Sequence, residues 1–87
     1  MRVKTDNVSK RYFSKDISAG GVFLLTDELL SEETKVDLEI LLPNISAPVK
    51  AKGEVVWGRR KEPCGFAVKF TEITDLSREF IRWAISK

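Results

Sequence analysis

Three segments of the chain alternate apolar and polar residues with a period of two. In residues 34–43 the apolar positions fall on one face and the charged positions on the other, and residues 48–59 and 64–70 repeat this pattern. Such a period with one polar face is typical of antiparallel strands that cover a core on one side. The pattern places Trp57 and Cys64 on core-facing positions. Three other runs predict further strands: 2–7, 11–17 and 21–26.

The C-terminal residues change period. Leu76, Phe80, Trp83 and Ala84 follow one another at spacings of four, three and one, which is typical of the apolar stripe of a helix. Thr74 or Asp75 is a suitable N-cap residue before this stripe. We therefore expect a helix that starts near residue 74 and packs through this stripe, including Trp83. The predicted fold is mainly β, a small six-stranded antiparallel barrel with one C-terminal helix.

Length and composition favour one small soluble domain over residues 1–87. The chain has 87 residues, a net charge of +2 and a single cysteine, Cys64. No apolar run approaches the roughly 18 residues of a membrane helix, and the polar N-terminus does not resemble a signal peptide. The small excess of basic residues argues against binding of duplex nucleic acid. We expect a cytoplasmic protein.

The composition also argues against catalysis and metal binding. The chain contains no histidine, the commonest general base and metal ligand, so Cys64 has no imidazole partner. One cysteine is too few for a thiolate zinc site. We therefore expect a binding module that is not an enzyme and holds neither a metal nor a cofactor.

The stretch SKDISAGGVF, residues 14–23, joins two predicted strands. It contains Asp16, Ser18, Gly20 and Gly21. Asp and Ser beside Gly commonly form turns through side-chain-to-backbone hydrogen bonds, and glycine supplies positive φ where a hairpin needs it. Alternatively, a ligand approaches the backbone here. The residues themselves favour the turn and leave the ligand open.

The order of these elements resembles the PilZ domain family over roughly residues 11–87. The family signature is Asp or Asn, any residue, Ser, two residues and Gly, and Asp16, Ser18 and Gly21 match it. The strand-like segments VDLEILLP, GEVVW and GFAVKF follow in the family's order. The resemblance implies a six-stranded barrel with a C-terminal helix. Many members bind the bacterial second messenger cyclic diguanylate and regulate motility, exopolysaccharide or virulence.

The resemblance implies ligand contacts for the signature residues. Asp16 would accept hydrogen bonds from a guanine edge, Ser18 would bond a base or a phosphate, and Gly21 would let the backbone approach the ligand. Further candidate contacts are Arg2, Arg11, Gly20, Trp57 and Arg59.

Ligand-binding members carry a second motif, Arg, three residues, Arg, before the first strand. Arg2 is followed four residues later by Asp6, so it does not match the motif. We therefore expect this chain to lack the arginine segment that clamps phosphates.

Three functions stay open from the sequence. The first is a cyclic diguanylate receptor that acts through a protein partner. The second is a PilZ-type adaptor that docks proteins and no longer binds nucleotide. The third is a small barrel that binds single-stranded nucleic acid, which requires aromatic and basic residues on an exposed strand face.

Overall fold

The computed structural model describes residues 1–5, 8–42 and 46–85. Over these residues the fold is mainly β, with one C-terminal helix, as predicted, but the sheet has seven strands in place of six. The elements are β1 (Arg2–Thr5), β2 (Val8–Arg11), β3 (Phe13–Ile17), β4 (Gly21–Leu25), β5 (Lys35–Ile40), β6 (Val49–Arg59), β7 (Gly65–Glu72) and α1 (Asp75–Ile85). The ends of the predicted strands 2–7 and 34–43 fall outside the described residues.

The strands form one antiparallel sheet in the order β2-β1-β5-β6-β7-β4-β3. Its two edge strands, β2 and β3, are separated in the chain by Tyr12 alone, so the sheet curls until its edges approach each other at this residue. Tyr12 donates its backbone N–H to the Met1 carbonyl at 2.8 Å. The additional strand, β2, escaped prediction because its sequence, VSKR, is exposed at every position and has no apolar alternation.

The core fills the concave side of the curled sheet. Alternating residues of β4, β5, β6 and β7 point into it, and Leu24 and Phe66 are fully buried. The Tyr12 ring packs edge-on against Phe66, with 5.6 Å between ring centroids. No polar or charged residue is buried among the described residues. The core thus confirms the period-two alternation on which the fold prediction rested.

The alternation fails near the end of β6. The pairing of β6 with β7 shifts register between Val55 and Trp57, which is the mark of a β-bulge. The extra residue turns Trp57 onto the outer face, where 49% of its surface is exposed. The prediction that Trp57 shares the core face of Val55 was therefore wrong.

Cys64 also lies outside the core. It is half-buried in the turn between β6 and β7, before the first residue of β7. Its thiol donates to the Arg60 carbonyl at 3.1 Å and lies 3.7 Å from Oε1 of Glu62. The prediction of a core cysteine was wrong because the alternation was extended one residue beyond the strand.

Helix α1 begins at Asp75, and Thr74 is its N-cap. The Thr74 hydroxyl accepts a hydrogen bond from the Ser77 N–H at 3.1 Å, as expected for a capping threonine. With 11 residues, this helix of the described chain is too short to cross a membrane.

The face through which α1 packs differs from the predicted stripe. Ile81 is its one buried residue, and Ala84 packs beside it against the core. Leu76 and Trp83, both expected inside, are 65% and 59% exposed. The predicted stripe was wrong because it left out Ile81, the residue through which the helix packs on the core.

Candidate functional site

The turn at residues 18–21 is held by Ser18. Its backbone N–H donates to the Gly21 carbonyl at 2.9 Å, and its hydroxyl oxygen accepts from the Gly20 N–H at 3.2 Å. The same hydroxyl lies 3.5 Å from the Gly21 carbonyl, to which it can donate. Ser18 therefore shapes the link between β3 and β4, as the turn interpretation predicts.

The two glycines of this turn differ in what surrounds them. A Cβ at Gly21 would lie 2.4 Å from the Val68 carbonyl oxygen, whereas a Cβ at Gly20 would meet only the Ser18 hydroxyl, at 3.9 Å. No described glycine has a positive φ. Gly21 is thus required by the close approach of β4 to β7, and the turn does not use glycine for a left-handed conformation.

Asp16 lies on the outer face of the sheet. It pairs with Phe23, which pairs with Ala67, which pairs with Trp57, so the four residues form one row across β3, β4, β7 and β6. Asp16 is exposed, and its carboxylate has no hydrogen bond or ion pair with any residue in the described part of the chain. A ligand can therefore reach a carboxylate that is not occupied by the turn.

Two aromatic rings stand beside Asp16. The rings of Phe23 and Trp57 have centroids 5.4 Å apart and planes tilted by 33°. The Phe23 ring lies over Gly65, where a Cβ would come within 2.8 Å of Cε2 of Phe23. Sequence reasoning missed Phe23 because the run GVFLL is apolar throughout and does not distinguish its faces. The bulge in β6 brings Trp57 to the same surface.

These residues line a hollow of about 380 Å³, which we call the Asp16 hollow. Five of the eight candidate site residues line it: Asp16, Ser18, Gly20, Gly21 and Trp57. Phe23 and Ala67 supply its apolar floor. The hollow thus combines a free carboxylate, a turn with exposed backbone and an aromatic surface, a combination suited to a planar ligand with N–H donors.

The other three candidates lie elsewhere. Arg2 and Arg11 line a separate hollow of about 610 Å³, and Arg2 approaches Glu39 at 3.6 Å. Arg59 braces the turn between β6 and β7, where it donates to the carbonyls of Lys61 at 3.1 Å and Glu62 at 3.2 Å. None of these arginines lines the Asp16 hollow.

A pair of arginines with the spacing of the phosphate-clamp motif does occur, but on α1. Arg82 pairs with Glu79 at 2.7 Å, and Nε of Arg78 is buried without a hydrogen-bond partner among the described residues. Neither arginine lines the Asp16 hollow, so this pair does not supply its missing cations.

The model of the PilZ domain family matches residues 2–87. The chain belongs to the PilZ domain family. No curated protein and no solved structure shows significant similarity to it. PilZ domains are binding and adaptor modules, of the type that serves as cyclic diguanylate receptors in signalling. The Asp16 hollow of this PilZ domain is formed by the family's signature turn together with Phe23 and Trp57.

The described part of this PilZ domain contains no group of three or more histidine, cysteine, aspartate or glutamate side chains placed to hold a metal ion.

Proposed function

We propose that this PilZ domain binds cyclic diguanylate in the Asp16 hollow and passes the signal to a protein partner in the bacterial cytoplasm. The observation that carries the proposal is the exposed Asp16 carboxylate, which no described residue engages, beside the Phe23–Trp57 pair. The regulated process belongs to the class served by the family, which includes motility, exopolysaccharide production and virulence.

The chemistry of guanine matches these residues. Its Watson–Crick edge presents N–H donors, which an exposed carboxylate such as Asp16 accepts in charge-assisted hydrogen bonds. A purine ring gains further stabilisation by stacking on Trp57, which Phe23 holds in place. Lys69 is exposed and lies opposite Gly21 in the pairing of β4 with β7, so it is a candidate cation for a phosphate.

The test is a titration with cyclic diguanylate followed by NMR on isotope-labelled protein, because NMR detects weak binding. We expect shifts of the amide resonances of residues 16–23 and of the Trp57 indole N–H. Loss of the carboxylate in Asp16→Ala should weaken binding about 10- to 100-fold, since a charge-assisted hydrogen bond contributes roughly 1.5–3 kcal/mol. Asp27→Ala is the matched control, since Asp27 is an exposed aspartate that does not line the hollow.

A second function is favoured by one specific observation. No arginine is among the described residues that line the Asp16 hollow, so the hollow has no guanidinium group to bind the two phosphates. If millimolar cyclic diguanylate leaves the resonances of residues 16–23 unchanged, the nucleotide proposal is wrong. The adaptor that docks a protein without nucleotide then becomes the preferred function.

A further inference from the structure

Basic side chains dominate the outer face of β2, β1, β5 and β6. Strand pairing places Arg11, Arg2, Glu39 and Lys50 in one row across the four strands, and Ser9, Lys4, Asp37 and Lys52 in the next row. These two rows, which we call the basic face, hold five cations and two carboxylates. Their net charge of +3 exceeds the +2 of the whole chain. The net positive charge of the molecule therefore lies on this face, where Lys52 also pairs with Glu72 of β7 at 3.8 Å.

Two exposed apolar side chains adjoin the row of Arg11, Arg2 and Glu39 in the basic face. Phe13 and Leu41 line the same 610 Å³ hollow as Arg2 and Arg11. They are 84% and 73% exposed, the two highest values among the exposed large apolar side chains of the described residues. Two such side chains around one hollow are unusual for a surface that only meets water.

The two arginines of this hollow are directly opposite each other in the pairing of β1 with β2. The Arg2 guanidinium forms an ion pair with the Glu39 carboxylate at 3.6 Å, whereas the Arg11 side chain forms no ion pair or hydrogen bond within the described residues. The hollow therefore offers a guanidinium group for a carboxylate, next to apolar side chains. Arginine suits this role because its planar donors match a carboxylate.

We propose that the basic face is a docking surface for an acidic, partly apolar linear segment of a partner protein. Aspartate or glutamate side chains of the segment would pair with Arg11 and Lys50, and an apolar side chain would cover Phe13 and Leu41. Charge complementarity supports this occupant. The proposal concerns a surface apart from the Asp16 hollow, with which the 610 Å³ hollow shares no lining residue.

Other occupants fit the charges less well. A second copy of the chain would bring the same basic face against this one in a symmetric dimer, where like charges repel. A nucleic acid strand or an anionic bilayer presents continuous negative charge, which would meet the carboxylates of Glu39 and Asp37 inside the face. A peptide can place acidic side chains only where the cations lie.

The size of the face sets the length of the segment. Four neighbouring strands span about 14 Å at their usual spacing, and an extended peptide covers that distance with about five residues. A probe of eight residues therefore covers the row from Arg11 to Lys50 and leaves about three residues to contact Phe13.

The experiment measures binding of a fluorescein-labelled eight-residue peptide, with blocked ends, in which four aspartates alternate with leucines. Fluorescence anisotropy should show saturable binding, and the same peptide with asparagines in place of aspartates should bind at least about tenfold more weakly. Arg11→Glu should also weaken binding at least about tenfold. Arg60→Glu, a reversal at an exposed arginine of the β6–β7 turn, should leave it within about twofold.

NMR of the labelled protein locates the bound peptide. Competition experiments show whether the face prefers a peptide, a nucleic acid or an anionic bilayer. Shifts centred on residues 11–13 and 38–41 support the proposal, provided that Asp16→Ala leaves them unchanged. The proposal is overturned if the aspartate peptide does not bind at 1 mM, or if Arg11→Glu has no effect. It is equally overturned if an eight-nucleotide oligouridylate or anionic phosphatidylglycerol vesicles displace the peptide and bind more tightly.

Discussion

At the scale of single residues, the signature turn shows how a motif can satisfy structural and binding requirements together. Ser18 holds the turn through hydrogen bonds, and Gly21 allows β4 to approach β7. Asp16 has no such structural role, because its carboxylate is exposed and forms no hydrogen bond or ion pair with any described residue. Two of the three signature residues therefore have a structural reason to be there, and Asp16 is the one whose presence points to a ligand.

The two adjacent glycines should respond differently to alanine. Gly21→Ala places a Cβ against the Val68 carbonyl oxygen, which has to shift, at an expected cost of about 1–3 kcal/mol in the free energy of unfolding. Gly20→Ala has free space and should change it by less than about 0.5 kcal/mol. Urea denaturation of both variants makes the comparison, and equal midpoints would contradict the close approach seen between β4 and β7.

Cys64 should be a slow nucleophile. Burial raises the pKa of its thiol above the usual range, and the Glu62 carboxylate beside it raises that pKa further by disfavouring a second negative charge. A raised pKa means less thiolate at any given pH, so alkylation by iodoacetamide should reach its half-maximal rate at higher pH than in the urea-unfolded chain.

Glu62→Gln should move the alkylation profile of Cys64 back toward lower pH, and Glu32→Gln, a change at an exposed glutamate outside the β6–β7 turn, should not. Mass spectrometry of the labelled protein over a pH series measures both shifts. Coincident profiles for the folded and unfolded chains would contradict the assigned environment of the thiol.

At the scale of secondary-structure elements, α1 is attached to the sheet through few side chains. Ile81 is buried, whereas Leu76, the first residue of the expected stripe, faces solvent. The apolar residues of this helix are thus divided between a packed face and an exposed face. Sequence periodicity detects the helix but does not decide between two stripes of similar apolar character.

Alanine substitutions on α1 test which stripe packs. Ile81→Ala should lower the free energy of unfolding by about 2–5 kcal/mol, as for other fully buried aliphatic residues. Leu76→Ala should change it by less than about 0.5 kcal/mol, because the side chain is exposed and alanine favours a helix. Thermal unfolding followed by circular dichroism compares the two, and a larger loss for Leu76→Ala would show that the helix packs by the other face.

At the scale of the whole molecule, much of the fold could be predicted because β5, β6 up to its bulge and β7 from Phe66 onward alternate, and one-sided burial requires that alternation. The site could be predicted only in part. The signature marks Asp16 and its turn, but a bulge that depends on the pairing of β6 with β7 turns Trp57 outward. Phe23 joins the site through a pairing of strands distant in sequence, which local patterns do not encode.

The affinity of the whole chain for cyclic diguanylate should be low. No Arg, three residues, Arg motif precedes Asp16 in this sequence, and Arg2 and Arg11 lie outside the Asp16 hollow. Two missing charge-assisted contacts amount to about 3–6 kcal/mol, or about two to four decades in affinity. Calorimetry at moderate salt should therefore find a dissociation constant well above micromolar.

Tighter binding would mean that another cation replaces the clamp, and alanine variants of Arg2, Arg11, Arg59 and Lys69 would identify it. Adding an N-terminal segment with two arginines at the motif spacing should raise the affinity of the chain. Unchanged affinity after that addition would count against the nucleotide function itself.

Strands β1 to β4 form two pairs that flank the central strands β5, β6 and β7. β1 and β2 lie on one side, β3 and β4 lie on the other, and Tyr12 links the two pairs, which we call arms. The Asp16 hollow straddles one arm and the centre, since Asp16 and Phe23 come from the arm and Trp57 and Ala67 from the centre. A ligand that contacts all of these residues can bind only while β4 is paired with β7. Ligand binding and this strand pairing are therefore linked equilibria, and a bound ligand stabilises the pairing by mass action.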